Sequence, residues 1–275
     1  MDLIMYNGEW THSIRHPLPQ GPGIAYEVLR IIDGTPLYLK EHHARLMRSL
    51  MSRQSFVDFS LMDYAKACEL WVLALQENNF NLKTLVDPAT LDVWHVQSPA
   101  SYPTLQQYEQ GVKTLTYSYE RQDPNAKILN PTLTNSAAQI RKKEGVYELL
   151  LVDATDHITE GARSNVFFFK DGALYTPPAD EVLPGVTRAR ILTVAEREGL
   201  EVFERPIERK ELPHMEGAFL SGTSPKILPI CQVDELFYDV TAAPLLRRLM
   251  DAFDQDIQED LLAQRSLATK KGTRE

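Results

Sequence analysis

The 275-residue chain has an ordinary globular composition, 43% hydrophobic and 24% charged, and is long enough for two modest domains. A formal net charge of −9 argues against a general nucleic-acid binder, so an anionic ligand would need a local basic site. Two cysteines, Cys68 and Cys231, are too few for a disulfide framework and point to a reducing cytoplasm. MDLIMYNGEW lacks a basic-then-apolar leader, and no apolar run is long enough to span a bilayer, so neither a signal peptide nor a membrane partner is expected.

In chain order, YEVLRIIDGTPLYL is expected as a β-hairpin turning at Asp33-Gly34. KEHHARLMRSLMSR follows with helical spacing, and LMDYAKACELWVLALQENN as a second helix ending near Asn78 and Asn79. TLDVWHVQ and VKTLTYSYE read as strands, and the proline-rich piece QDPNAKILNPTLTN as the domain linker. The expected domains are therefore 1–121 and 122–275. Beyond the linker come a helix in AAQIRKKEG, a strand buried on both faces in YELLLVD, and a hairpin in NVFFFKDGALYT. TRARILTVAEREGL reads as a helix stopped by Gly199, LEVFERPI as a strand, and GAFLSGTSPKILPI as two strands around a small-residue loop. A helix around APLLRRLMDAFDQDI closes the pattern, with a frayed tail SLATKKGTRE. The alternation of strand and helix gives an α/β or α+β class.

Four signals between Lys127 and Thr187 fit one cofactor. They are a lysine in NAKILN, an acidic turn in ITEG, a hairpin in KDGALYTPP and a glycine-led helix start in LPGVTRARIL, of which the first, second and last supply an amine, a carboxylate and a phosphate cradle. Pyridoxal phosphate needs those three: an amine that forms an imine with it, a partner for its pyridine nitrogen, and a home for its phosphate. Lys127 supplies the amine, with Lys226 in TSPKIL as its rival by local context, and Lys170 at a hairpin tip is expected exposed. Each element also has an ordinary structural reading: Glu160 as a turn glutamate beside Gly161, Thr187 as an N-cap, SGTS as a turn, Arg45 as a solvated helix arginine. Strand alternation puts Tyr26, Val28 and Arg30 on one face, which is core, edge or pocket wall. His42 and His43 are adjacent, a poor spacing for two ligands on one helical face, so no metal is expected.

Taken together, YEVLRIIDG, EHHARLMRSL, AKILN, ITEGARSNVFFFKDGALYTPP, LPGVTRARI and FLSGTSPKILPI resemble the class IV aminotransferases, the fold-type IV pyridoxal-phosphate enzymes. The resemblance covers nearly the whole chain. It implies a small N-terminal α/β domain, a larger C-terminal pseudo-barrel domain, pyridoxal 5'-phosphate between them, and a homodimer. Lys127, which opens K-x-x-N with Asn130, looks like the imine lysine, and Glu160 like the acid on the pyridine nitrogen. Arg45, Val186, Thr187, Thr223 and Ser224 resemble the phosphate-binding set, and Tyr26, Val28 and Arg30 the substrate-facing strand.

The implied activity is transamination between an amino acid and a keto acid. A lyase on the same scaffold, releasing pyruvate and 4-aminobenzoate from aminodeoxychorismate, shares every cofactor residue. A catalytically inactive relative serving as a binding module is the third reading. Val28 stands where the branched-chain signature F-E-G-I-R has glycine, and YEVLR is closer to the D-amino acid transaminase form. TLDVWHVQSPASYP nevertheless lacks the Arg-x-His pair of those enzymes, Pro225 removes a donor from the SGTSPK loop, and Thr132 lies near where some members place a tyrosine. The departures leave the amino donor open.

Overall fold

A computed structural model of the chain describes residues 3–99 and 102–272. These fall into two compact units: Met1–Ala100, Ala126–Pro131 and Gln255–Glu275 form one, Ser101–Asn125 and Thr132–Asp254 the other.

The first unit is built on a six-stranded sheet in the order Glu9–His12, Leu3–Tyr6, Val93–Ser98, Phe80–Val86, Ala25–Ile32, Thr35–Pro36, with every neighbouring pair antiparallel. Ala25–Ile32 alternates strictly between buried and half-buried residues, as a strand with one face on the core must. Ala25, Glu27, Leu29 and Ile31 face inward, and Tyr26, Val28 and Arg30 share the other face, as the sequence implies. The hairpin turns at Asp33-Gly34, both at positive φ, although its second arm is only two residues long. The helices Leu39–Met51 and Leu61–Leu75 contribute Leu46, Leu50, Tyr64 and Trp71 to a core completed by Leu29, Ile31, Phe80 and Leu82 from the sheet. Ser60 and Asp63 form a reciprocal capping box that starts the second helix, and Gln76, in the left-handed region, ends it ahead of the paired asparagines.

The second unit holds a ten-stranded sheet. Its order is Val202–Glu204, Ala173–Thr176, Asn165–Lys170, Gly217–Gly222, Lys226–Val233, Val112–Ser118, Glu148–Val152, His157–Gly161, Ile207–Glu208, with Leu236–Phe237 added to Lys226–Val233. The two ends of this order, Val202–Glu204 and Ile207–Glu208, are joined by Arg205-Pro206 alone. Three Cα–Cα steps of about 3.8 Å separate the two edges, which therefore cannot lie across an open sheet of this width. The sheet curls on itself as the expected pseudo-barrel, and one apolar cluster draws on strands from all around it, including Val112, Leu150, Val166, Leu220, Ile230 and Ile207.

Several elements differ from the sequence reading. The strands Leu3–Tyr6, Glu9–His12 and Phe80–Val86 have no counterpart in it. Glu160 lies within the strand His157–Gly161 rather than in a turn, because Gly161 still pairs with Leu150. The helix read in AAQIRKKEG begins at Pro131, where the missing N–H and fixed φ of proline suit a first helical position. The final helix runs from Pro244 to Gly272, so most of the stretch expected to fray is helical; residues 273–275 lie outside the described residues. Among the described residues no helix is long and apolar enough to cross a membrane.

Candidate active site

The candidate residues form two sets, one in each unit. In the first, Arg45 is buried rather than solvated. The helix Leu39–Met51 turns His42, Arg45 and Ser49 inward together with Leu46 and Leu50, the spacing of a single helical face. Opposite stands Glu27, on the core face of Ala25–Ile32. The Arg45 Nε donates to Glu27 Oε2 at 2.9 Å and its Nη2 to Oε1 at 2.5 Å. This side-on pairing leaves Nη1 for another anion.

His42 Nδ1 stands 3.1 Å from the same Oε1 but outside hydrogen-bond geometry. Burial pushes the Glu27 carboxyl up, and Arg45 and His42 more than reverse this, holding it well below the usual carboxylate range. Burial pushes the His42 imidazole down, and Glu27 opposes this only in part. The polar line continues across the sheet, since Glu27 pairs with Thr84 and Thr84 with His95. The Thr84 hydroxyl and His95 Nδ1 are 2.9 Å apart, and burial pushes His95 down to about 4.

Lys127 belongs to this same unit. Its N–H donates to Ser49 Oγ and its carbonyl accepts the Tyr26 N–H, both at 3.0 Å, while Ile128 bridges Ala25. The Lys127 ammonium lies 4.6 Å from the centroid of the Tyr26 ring. A second ammonium, Lys83, lies 5.2 Å from the same ring. Lys83 pairs with Val28 in the sheet, so it shares the face of Tyr26, Val28 and Arg30. Burial and the neighbouring Lys127 push the Lys83 ammonium down, with Tyr26 opposing. Lys127 thus stands beside Tyr26, whose strand face also carries Val28, Arg30 and Lys83, whereas Arg45 pairs with Glu27 on the opposite face of that strand.

The second set gathers at one end of the curled sheet. Glu160 is buried, and its Oε1 accepts from Arg121 Nη1 at 2.8 Å. Its Oε2 accepts the Leu183 N–H at 3.1 Å and Asn165 Nδ2 at 3.4 Å, and Asn165 Nδ2 also donates to the Leu183 carbonyl. The four-residue turn after Glu160 closes by the Gly161 N–H donating to the Ser164 carbonyl at 2.7 Å. Asn165 pairs with Ser221, which places the Gly222–Pro225 turn carrying Thr223 and Ser224 at the same sheet end.

Gly185 opens the helix Val186–Arg197 without a side-chain cap, so the first-turn N–H groups of Val186 and Thr187 are left for a ligand. A Cβ on Gly185 would fall 2.1 Å from Asn165 Oδ1, a close approach that requires glycine. The Ser221 hydroxyl is buried without a hydrogen-bond partner. An uncapped helix start, an orphaned hydroxyl and a buried, cation-paired carboxylate fit a phosphorylated pyridine. The other candidate lysines lie elsewhere. Lys226 is committed to Asp254 at 2.7 Å, and Lys170 is half-buried at a strand end rather than exposed at a tip.

The described geometry has relatives. Residues 24–233 match the amino-transferase class IV family. A probable branched-chain-amino-acid aminotransferase of Rickettsia typhi is 30% identical over 271 residues, covering 90% of this chain and 92% of its own. The crystal structure of the Escherichia coli branched-chain amino acid aminotransferase superposes with a TM-score of 0.81 at 26% identity, over 93% and 94% of the two chains. The branched-chain amino acid aminotransferase of Thermobaculum terrenum, solved in its PLP form, shares the fold with a TM-score of 0.80 at 21% identity, over 96% of each chain. A family match of this span, on a mixed α/β fold carrying a lysine, a buried carboxylate and an uncapped helix start, makes the chain a member of the class IV aminotransferases, enzymes that transfer amino groups with pyridoxal 5'-phosphate.

Proposed function

We propose that Lys127 is the amine of this aminotransferase and that Glu160, Arg45, Val186, Thr187, Thr223 and Ser224 hold its cofactor. The observation that carries the proposal is the fixing of Lys127 by both its N–H and its carbonyl, with its ammonium over Tyr26. When bound, pyridoxal phosphate supplies an aldehyde and an electron sink. Arg45 offers Nη1 to a phosphate oxygen, the helix start at Val186 and Thr187 offers N–H groups, and Thr223 and Ser224 offer hydroxyls. Glu160, which accepts from Arg121 and from the Leu183 N–H, would face the pyridine nitrogen. With the cofactor bound, the Lys127 amine would be the group that carries a proton to and from the substrate α-carbon.

Tyr26, Val28 and Arg30 line the substrate, and Lys83 adds a cation for a substrate carboxylate on the same face. The substrates are an amino acid and a keto acid. The two compact units serve as the domains of this reading, with Ala126–Pro131 and Gln255–Glu275 grouped with the N-terminal one.

The test is the visible spectrum of the purified protein with pyridoxal phosphate and a panel of branched-chain L-amino acids, glutamate and D-amino acids. A band that one donor bleaches and a keto acid restores supports transamination and identifies the donor. Pyruvate released from aminodeoxychorismate without an acceptor marks the lyase instead, and no band at all marks the inactive relative. Glu160→Gln is expected to retain cofactor while lowering kcat by roughly 10²-fold, the scale of losing one oriented electrostatic group. Unchanged turnover would remove its role.

A homodimer is also proposed. Met51, Phe56, Met62 and Leu73 expose large apolar side chains on the first unit, Phe56 to 75%. Sedimentation at the 31.3 kDa chain mass would overturn this. Free thiols at Cys68 and Cys231 support a cytoplasmic setting.

A further inference from the structure

Ser49 lies one helical turn after Arg45 on the buried face of Leu39–Met51 and is 1% exposed. A hydroxyl has one proton, and here it goes to the Arg45 carbonyl at 3.0 Å. Only a lone pair is left for Lys127, whose N–H donates to it at 3.0 Å. From Lys127 the carbonyl accepts the Tyr26 N–H, the next residue Glu27 holds the Arg45 guanidinium side-on, and Arg45 leads back through its carbonyl to Ser49. These bonds close a ring through the Lys127 peptide and Arg45.

We propose that Ser49 is a positioning residue: its hydroxyl fastens the Lys127 peptide to the helix that carries Arg45 and so sets the distance between the reacting amine and the anchored phosphate. The proposal rests on the roles given above to Lys127 and Arg45. The Ser49 hydroxyl is taken up by the Arg45 carbonyl and the Lys127 N–H. Its whole effect passes through the Lys127 backbone, and reaction geometry is sensitive to displacements well below the length of a bond to the substrate.

Ser49→Ala and Ser49→Thr test this, the second because it keeps the hydroxyl. In protein without added cofactor, hydrogen exchange of the Lys127 amide is expected to accelerate about tenfold in Ser49→Ala, the scale of one lost hydrogen bond. Exchange across Phe80–Val86 should not change. In the loaded enzyme kcat should fall roughly tenfold with KM for the amino donor nearly constant, because a misplaced amine weakens the transition state and not the donor's binding. Ser49→Thr should restore both readings. Unchanged Lys127 exchange, or full kcat in Ser49→Ala, overturns the proposal, as does a Ser49→Thr variant as impaired as the alanine. A wild-type protein that takes up no pyridoxal phosphate would overturn the functional reading instead, and the exchange data would still decide whether Ser49 holds Lys127.

Discussion

Lys127→Ala is expected to lower turnover by roughly 10³-fold or more and to abolish the visible band of the lysine-bound cofactor, since both the covalent attachment and the proton carrier are removed. The fold should survive. Lys127 is held through its N–H, by Ser49, and through its carbonyl, by Tyr26, and alanine keeps both groups. Loss of activity therefore reports chemistry and not unfolding, which thermal melting of the variant checks directly. The informative competitor is Lys83, whose ammonium lies 5.2 Å from the same Tyr26 ring and is pushed down by burial. A lowered pKa is what makes an amine a nucleophile at neutral pH. Borohydride reduction of the wild-type protein followed by peptide mass analysis separates the two. The adduct is expected on Lys127, and an adduct on Lys83 or Lys226 would reassign the amine.

How much of this was legible from residues alone depends on the range of the interaction. Lys127, Glu160, Arg45 and the Gly185-Val186-Thr187 helix start stand in short motifs, so local pattern and the family resemblance single them out as candidates. Glu27 was not singled out, because alternation assigns it to the core face, where a lone charge is not expected. Its justification is Arg45, eighteen residues on and on a different element. Arg121 likewise makes sense only against Glu160, thirty-nine residues away. Lys83 was missed with its strand. Phe80–Val86 is buried on both faces except at Lys83, so its burial shows no alternation to mark it as a half-buried strand. The curl of the second sheet was equally hidden. It depends on Val202–Glu204 and Ile207–Glu208 going to opposite edges, although LEVFERPI reads as one strand. Pro206 is the local hint, since it has no N–H to give to a ladder.

Glu27→Gln should destabilise the protein by about 3–5 kcal/mol at neutral pH, the cost of leaving a buried guanidinium without its counter-charge. This is a large part of the ~5–15 kcal/mol that stabilises a typical domain, and urea unfolding will resolve it. The pH dependence gives an independent signature. The Glu27 carboxyl is held below its ordinary value near 4.5 in the folded protein, so the unfolded chain takes up the proton first. The stabilisation is thus fully present above about pH 4.5 and is lost as pH falls toward the folded value. Wild-type stability should decline over that interval and the variant's should decline less, so their difference narrows in acid. A constant difference would mean that the glutamine harms packing and not charge. The double variant Glu27→Gln, Arg45→Met removes the stranded cation and should recover much of the lost stability, because apolar replacement of a buried pair is often close to neutral. It should also bind pyridoxal phosphate much more weakly than wild type. Recovery of the fold without recovery of the cofactor would show that the buried charge at Arg45 is kept for the phosphate, with Glu27 present to make that charge tolerable inside the protein.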